Sequence, residues 1–129
     1  MLHALAVEDD DRLAADLAAA LRGLAQVQHV ASADEALAVL AWVVPDVVLL
    51  DLCGTSREAP LLVASSVRIA LDRAGERVRT RVPLVLYSGL DPHVLDGIAG
   101  ALDRTHALPR LVSRAELRAL VARLTTTPR

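Results

Sequence analysis

Lysine is absent from the 129 residues of this chain, and all 14 of its basic side chains are arginine. That absence excludes Schiff-base chemistry, the phosphate-gripping lysine of a Walker-type loop and any catalytic side-chain amine. Phenylalanine is absent as well, and with aromatics at 2% no stacking platform for the bases of a single strand can be assembled. The core must therefore come from Leu, Val, Ile and Ala within the 53% hydrophobic fraction. Cys53 is the only cysteine, which rules out an intrachain disulfide and a cysteine-rich zinc framework and fits a reducing compartment. No apolar run reaches membrane-spanning length, and Met1-Leu2-His3-Ala4 lacks the basic start of a secretory signal, so a cytoplasmic protein without membrane contact is expected. The formal net charge of -2 offers no excess for a polyanion, and no direct nucleic-acid partner is expected. Arg77, Arg79 and Arg81 crowd together in what reads as a solvated loop, and His3, His29, His93 and His106 are too scattered for a histidine metal site.

What the chain does have is a strict alternation of strand-like and helix-like patterns, the mark of an α/β fold with a parallel sheet in a chain of single-domain length. The first strand covers Leu2 to Val7, and the helix after it carries Leu13, Leu17, Leu21 and Leu24 at helical spacing and ends near Gly23. Gln26 to Val30 reads as a second strand. Ser32 and Glu35 form a capping box for a helix with the stripe Leu37, Leu40, Ala41 and Val44, stopped by Pro45 and carrying Trp42 as a packing residue. Asp46 to Asp51 is the third strand, central because its aliphatic run is continuous. A polar loop from Leu52 to Ala59 leads to a helix from Pro60 to about Arg73 that Gly75 ends. Leu84 to Tyr87 is the fourth strand. Asp91 and Pro92 then start a helix that Gly97 and Gly100 weaken, making it the mobile element of the chain. Ala107 to Val112 is expected as a fifth, edge strand because Pro109 lacks an N-H, and Ser113 with Glu116 caps a last helix bearing Leu117, Leu120, Val121 and Leu124. One domain over residues 1–124 with a short tail over 125–129 is expected.

The carboxylates carry the chemistry. Glu8, Asp9 and Asp10 follow the apolar run Leu5-Ala6-Val7, and Asp51 follows Val47-Val48-Leu49-Leu50. If these runs are neighbouring parallel strands, Glu8, Asp9 and Asp51 meet at the carboxyl edge of the sheet, where α/β proteins bind ligands. Converging carboxylates repel unless a proton or cation intervenes, and hard oxygen donors suit Mg²⁺, with Asp51 available as a nucleophile. Asp10 and Asp11 read instead as caps of the following helix.

This order of elements resembles the receiver domain of bacterial two-component response regulators over essentially the whole chain. Val7-Glu8-Asp9-Asp10 is similar to that family's acidic pair, Val48-Leu49-Leu50-Asp51-Leu52 to its phosphoacceptor strand, and Val85-Leu86-Tyr87-Ser88-Gly89 to its hydroxyl-bearing fourth strand. The resemblance implies a flavodoxin-like, three-layer (βα)5 fold with a five-stranded parallel sheet in the order 2-1-3-4-5. It implies a phosphoryl group taken onto Asp51 from a phosphohistidine on a sensor histidine kinase or phosphotransfer protein, in a receiver that is not a multiple-turnover enzyme. Glu8, Asp9, Asp51 and the backbone carbonyl of Cys53 would hold Mg²⁺, and Ser88 would bond a phosphoryl oxygen. The output implied is a downstream protein target or a second copy, met through the helix after Asp91, the strand near Arg110 and the final helix.

The chain departs from that pattern in places. Arg110 stands where the family has a lysine, Leu111 where it has the following proline, and the loop from Cys53 to Pro60 lacks its Met-Pro step. A receiver-like interaction module that works without phosphorylation is therefore an alternative. So is a phosphatase, because Asp51-Leu52-Cys53-Gly54-Thr55 is similar to the haloacid dehalogenase motif, with Cys53 in place of its second aspartate. Ser88 has an ordinary reading too, since Ser-Gly pairs favour turns. Apolar Leu90 and Cys53 beside the site would give little help to an attacking water, so slow self-dephosphorylation is expected.

Overall fold

The structure, a computed structural model, describes residues 1–52, 59–109 and 113–126. Five strands and five helices alternate: β1 (Leu2–Val7), α1 (Asp11–Ala20), β2 (Ala25–Val30), α2 (Ala33–Leu40), β3 (Val47–Asp51), α3 (Pro60–Glu76), β4 (Leu84–Ser88), α4 (Pro92–Ala101), β5 (Thr105–Pro109) and α5 (Arg114–Thr125). The strands form one sheet in the order β2-β1-β3-β4-β5, and every pairing is parallel. This is the flavodoxin-like arrangement expected from the sequence.

Side chains alternate across each strand, and that period of two sorts the core into two layers. Leu5, Val7, Val48, Leu50, Leu84 and Leu86 pack against Ala36 and Leu40 of α2, Val67 and Leu71 of α3, and Leu95 and Ile98 of α4. Ala4, Ala6, Val47, Leu49, Val85 and Tyr87 face the other way, against Leu21 after α1 and Leu117 and Val121 of α5. All five residues of β3 are buried, as its uninterrupted aliphatic run required. Each such Leu or Val contributes roughly 1.5–3 kcal/mol when withdrawn from water.

Arg68 is a buried cation in this apolar layer. Its guanidinium donates to the Arg104 carbonyl at 3.1 Å, to the Val82 carbonyl at 2.7 Å and to Asp72 at 2.6 Å, so it ties α3 to the approaches to β4 and β5. Buried charges persist in proteins when their donors are used in this way.

Several boundaries differ from the sequence reading. α1 stops at Ala20, and the Leu21–Leu24 turn, with Gly23 at φ 83°, leads into β2. α2 stops at Leu40, five residues short of Pro45, where the Arg77 guanidinium takes the Leu40 carbonyl at 2.9 Å. The buried face of α2 is Ala36 and Leu40, whereas Ala41 is exposed. Trp42, expected to pack, is 88% exposed, because the chain has already left the helix there. Gly75 does not end α3 but sits buried in its last turn, where an added Cβ would run into the Thr80 carbonyl oxygen. β5 (Thr105–Pro109) begins two residues before the expected Ala107, with Thr105 in register with Leu84, and residues 110–112 of the expected strand lie outside the described residues. It is an edge strand, as Pro109 suggested. Thr125, assigned to the tail, is the last residue of α5.

Candidate functional site

The same alternation that builds the two layers also assembles the carboxylates. Ala4 and Ala6 face the α1/α5 layer and Glu8 is next in that series; Val47 and Leu49 lead likewise to Asp51, and Val85 to Tyr87. Register completes the meeting, because Val7 pairs with Leu50 and Asp51 with Tyr87 at the carboxyl ends of three adjacent strands. One ligand oxygen each from Glu8, Asp9 and Asp51 lies within 4.8 Å of the others. Glu8 and Asp51 are fully buried and Asp9 is exposed, so the group opens to solvent on one side.

Both oxygens of Glu8 are held. Oε1 accepts the backbone N-H of Asp10 at 3.1 Å, and Oε2 accepts the Tyr87 hydroxyl at 2.9 Å. The Glu8 backbone carbonyl accepts from Nε2 of His29 on β2. Burial pushes the Glu8 carboxyl up to about 7; the Asp10 and Tyr87 donors oppose the rise, and a hydrogen bond and charge repulsion from Asp51 add to it. With no cation bound, burial and the neighbouring Asp51 make Glu8 hold its proton more readily than a free carboxyl does. A divalent cation with hard oxygen preference relieves the same repulsion, and Mg²⁺ is held in proteins by one or two carboxylates with its remaining positions open to water and phosphate. The donor set fits that ion.

The acidic run after β1 divides by role as expected. Asp10 caps α1, its Oδ1 accepting from the N-H groups of Arg12 and Leu13 at 2.9 and 3.4 Å, and Asp11 lies in the first turn. Ser88 is buried at the end of β4, where its hydroxyl accepts the Leu90 N-H at 3.1 Å. It lies one residue beyond Tyr87, the residue that pairs with Asp51. Asp91 caps α4 by accepting from His93 N-H at 2.8 Å. Cys53 and Arg110 lie outside the described residues.

Sequence reasoning missed Tyr87 and His29. A signal existed for Tyr87: it is the only tyrosine, at the end of an aliphatic strand, and a buried phenol needs a partner for its hydroxyl. His29 carried no comparable signal, since its contact depends on β2 lying beside β1.

No protein-family profile matches the chain, and no curated protein matches it. Solved structures do. The chemotaxis response regulator CheY4 of Vibrio cholerae superposes with a TM-score of 0.77 at 19% identity, over 96% of this chain and 98% of that one. The receiver domain of a Pseudomonas aeruginosa sensor histidine kinase, whose structure holds a magnesium ion in its active-site cleft, gives 0.76 at 20% identity, over 98% of both. The receiver domain of the Francisella response regulator 1452 gives 0.74 at 16% identity, over 97% of both. The fold of this chain is therefore that of response regulator receiver domains. Among the described residues no helix is long and apolar enough to cross a membrane.

Proposed function

We propose that the chain is a phosphoacceptor receiver of a two-component system, with Asp51 as the acceptor. The observation that carries the reading is the convergence of Glu8, Asp9 and Asp51 at the carboxyl edge of a receiver-type sheet, two of them buried against each other. A phosphohistidine on a sensor kinase or phosphotransfer protein is the donor. An Asp51 carboxylate oxygen attacks phosphorus, the P-N bond breaks as the O-P bond forms, and the freed imidazole takes up a proton. Glu8, Asp9 and Asp51 would hold Mg²⁺, which when bound would supply positive charge to offset that of the carboxylate and phosphoryl oxygens.

Glu8 and Asp51 are buried, and Tyr87 with the Asp10 N-H fixes the Glu8 carboxylate in place beside Asp9 and Asp51, where it would meet the cation. In this reading Ser88 would bond a phosphoryl oxygen, the Cys53 carbonyl would join the ligands that hold the metal, and Arg110 would pair with the phosphoryl group in place of the family's lysine. A guanidinium can grip a phosphate, with a wider fork than an ammonium. The product leaves its signal on a protein target or second copy through the face of α4, β5 and α5. In this reading the protein acts in the cytoplasm and carries one phosphoryl group rather than turning over.

Acetyl phosphate with Mg²⁺, followed by intact-mass spectrometry, tests this. The expected result is a single phosphoryl increment in the wild type that requires Mg²⁺ and disappears in Asp51→Asn. No increment would favour the reading, suggested by the missing lysine, of an interaction module that works without phosphorylation. Rapid multiple turnover of small phosphoesters lost in Asp51→Asn would favour the phosphatase.

A further inference from the structure

At the sheet edge opposite the carboxylates, the turn after α3, the lead-in to β3 and the end of α5 surround a cavity of about 400 Å³. Its charged wall is Arg79, Arg81, Arg104 and Asp46. Asp46 is already engaged, its Oδ2 accepting the His3 N-H at 2.7 Å. No carboxylate among the described residues pairs with the three arginines. The cavity therefore has a net positive wall in a chain whose overall charge is negative.

This wall is built, not incidental. Arg79 and Arg104 have φ of 55° and 48°, and they are the two non-glycine residues with left-handed backbone among the described residues. Side chains rarely tolerate that conformation, so surrounding contacts must impose it. For Arg104 they do: its carbonyl accepts from Leu84 N-H at 3.0 Å and from the buried Arg68 at 3.1 Å, and Arg68 also holds the neighbouring wall residue Val82. Nε of Arg104 is buried with no hydrogen-bond partner among the described residues. Burial lowers the pKa of His106 on β5, and the charges of Arg123 and Arg104 lower it further.

We propose that this cavity binds a compact phosphate polyanion of the inorganic diphosphate class. Guanidinium forks match phosphate oxygens two at a time, and Thr80 and Thr125 add hydroxyl groups to the lining. The volume falls within the range of small-molecule sites, roughly 300–1,000 Å³, and exceeds the need of a single tetrahedral anion. No aromatic side chain lines it, so a nucleobase would gain no stacking there.

Calorimetric titration of the full chain with inorganic diphosphate in EDTA, without Mg²⁺, is the test, with inorganic phosphate as the comparison. Expected are one-to-one diphosphate binding that weakens with added NaCl, weaker binding of phosphate, and no change in Asp51→Asn. The double variant Arg79→Gln/Arg81→Gln removes two exposed side chains and should bind about tenfold or more weakly. Should its circular dichroism differ from wild type, Arg81→Gln alone replaces it, with a several-fold loss expected. Absence of binding at millimolar diphosphate, undiminished binding in a folded variant, or loss of binding in Asp51→Asn would each overturn the assignment.

Discussion

Tyr87→Phe removes one hydroxyl and, with it, the 2.9 Å hydrogen bond to Glu8 Oε2. A hydrogen bond to a charged group is worth roughly 1.5–3 kcal/mol, or about 1–2 pKa units. Because this donor holds the Glu8 carboxyl down, its loss raises that carboxyl from about 7 to a higher value. Mg²⁺ requires the ionised form. At pH 7 the wild-type Glu8 is about half ionised, so a further rise of 1–2 units weakens apparent Mg²⁺ affinity by roughly 5- to 50-fold. At pH 9 the wild type is almost fully ionised and the variant at least about half, so the gap narrows to about twofold or less. Calorimetric Mg²⁺ titrations at pH 7 and 9 measure this directly. Equal affinities at pH 7, or a loss of the same size at both pH values, would refute the account of Tyr87 as a residue that sets the charge of Glu8.

Other expectations follow from the same structure. Without Mg²⁺, Glu8 binds its proton more tightly folded than unfolded, so it contributes stability that is full below about pH 4.5 and is lost as pH rises through about 7. This is roughly 3 kcal/mol for a buried group, so thermal melts should fall between pH 5 and 8 and Mg²⁺ should raise Tm more at pH 8 than at pH 6. Arg68→Ala strands the carbonyls of Val82 and Arg104 and should destabilise by about 2–4 kcal/mol in urea unfolding. Gly97→Ala/Gly100→Ala fills open space on α4 and should stabilise by about 1–2 kcal/mol with an unchanged m-value; destabilisation would point to a packing role for these glycines. Phosphorylated Asp51, once formed, should decay slowly, since half-buried Leu90 beside Ser88 offers no base to water; loss within seconds would count against this.

The strands were legible because aliphatic runs ending in Glu8, Asp51 and Ser88 have few other readings, and the caps at Asp10, Ser32, Asp91 and Ser113 because such side chains satisfy helix N-H groups locally. Helix ends were less legible. α2 stops where Arg77, 37 residues away in sequence, takes its last carbonyl, and Gly75 is demanded by the approach of Thr80 rather than by a helix end. Trp42 and the start of β5 misled for the same reason.

The sequence by itself determined the alternating fold and which carboxylates belong at strand ends, because period-two burial and local capping are properties of short stretches of chain. Only the tertiary structure decided how those ends meet: Tyr87 on Glu8, Asp51 beside Tyr87, and Arg68 behind Arg104 at the far edge. Each of these joins side chains from different elements, and register and crossover direction, which no local pattern encodes, bring them within hydrogen-bonding distance.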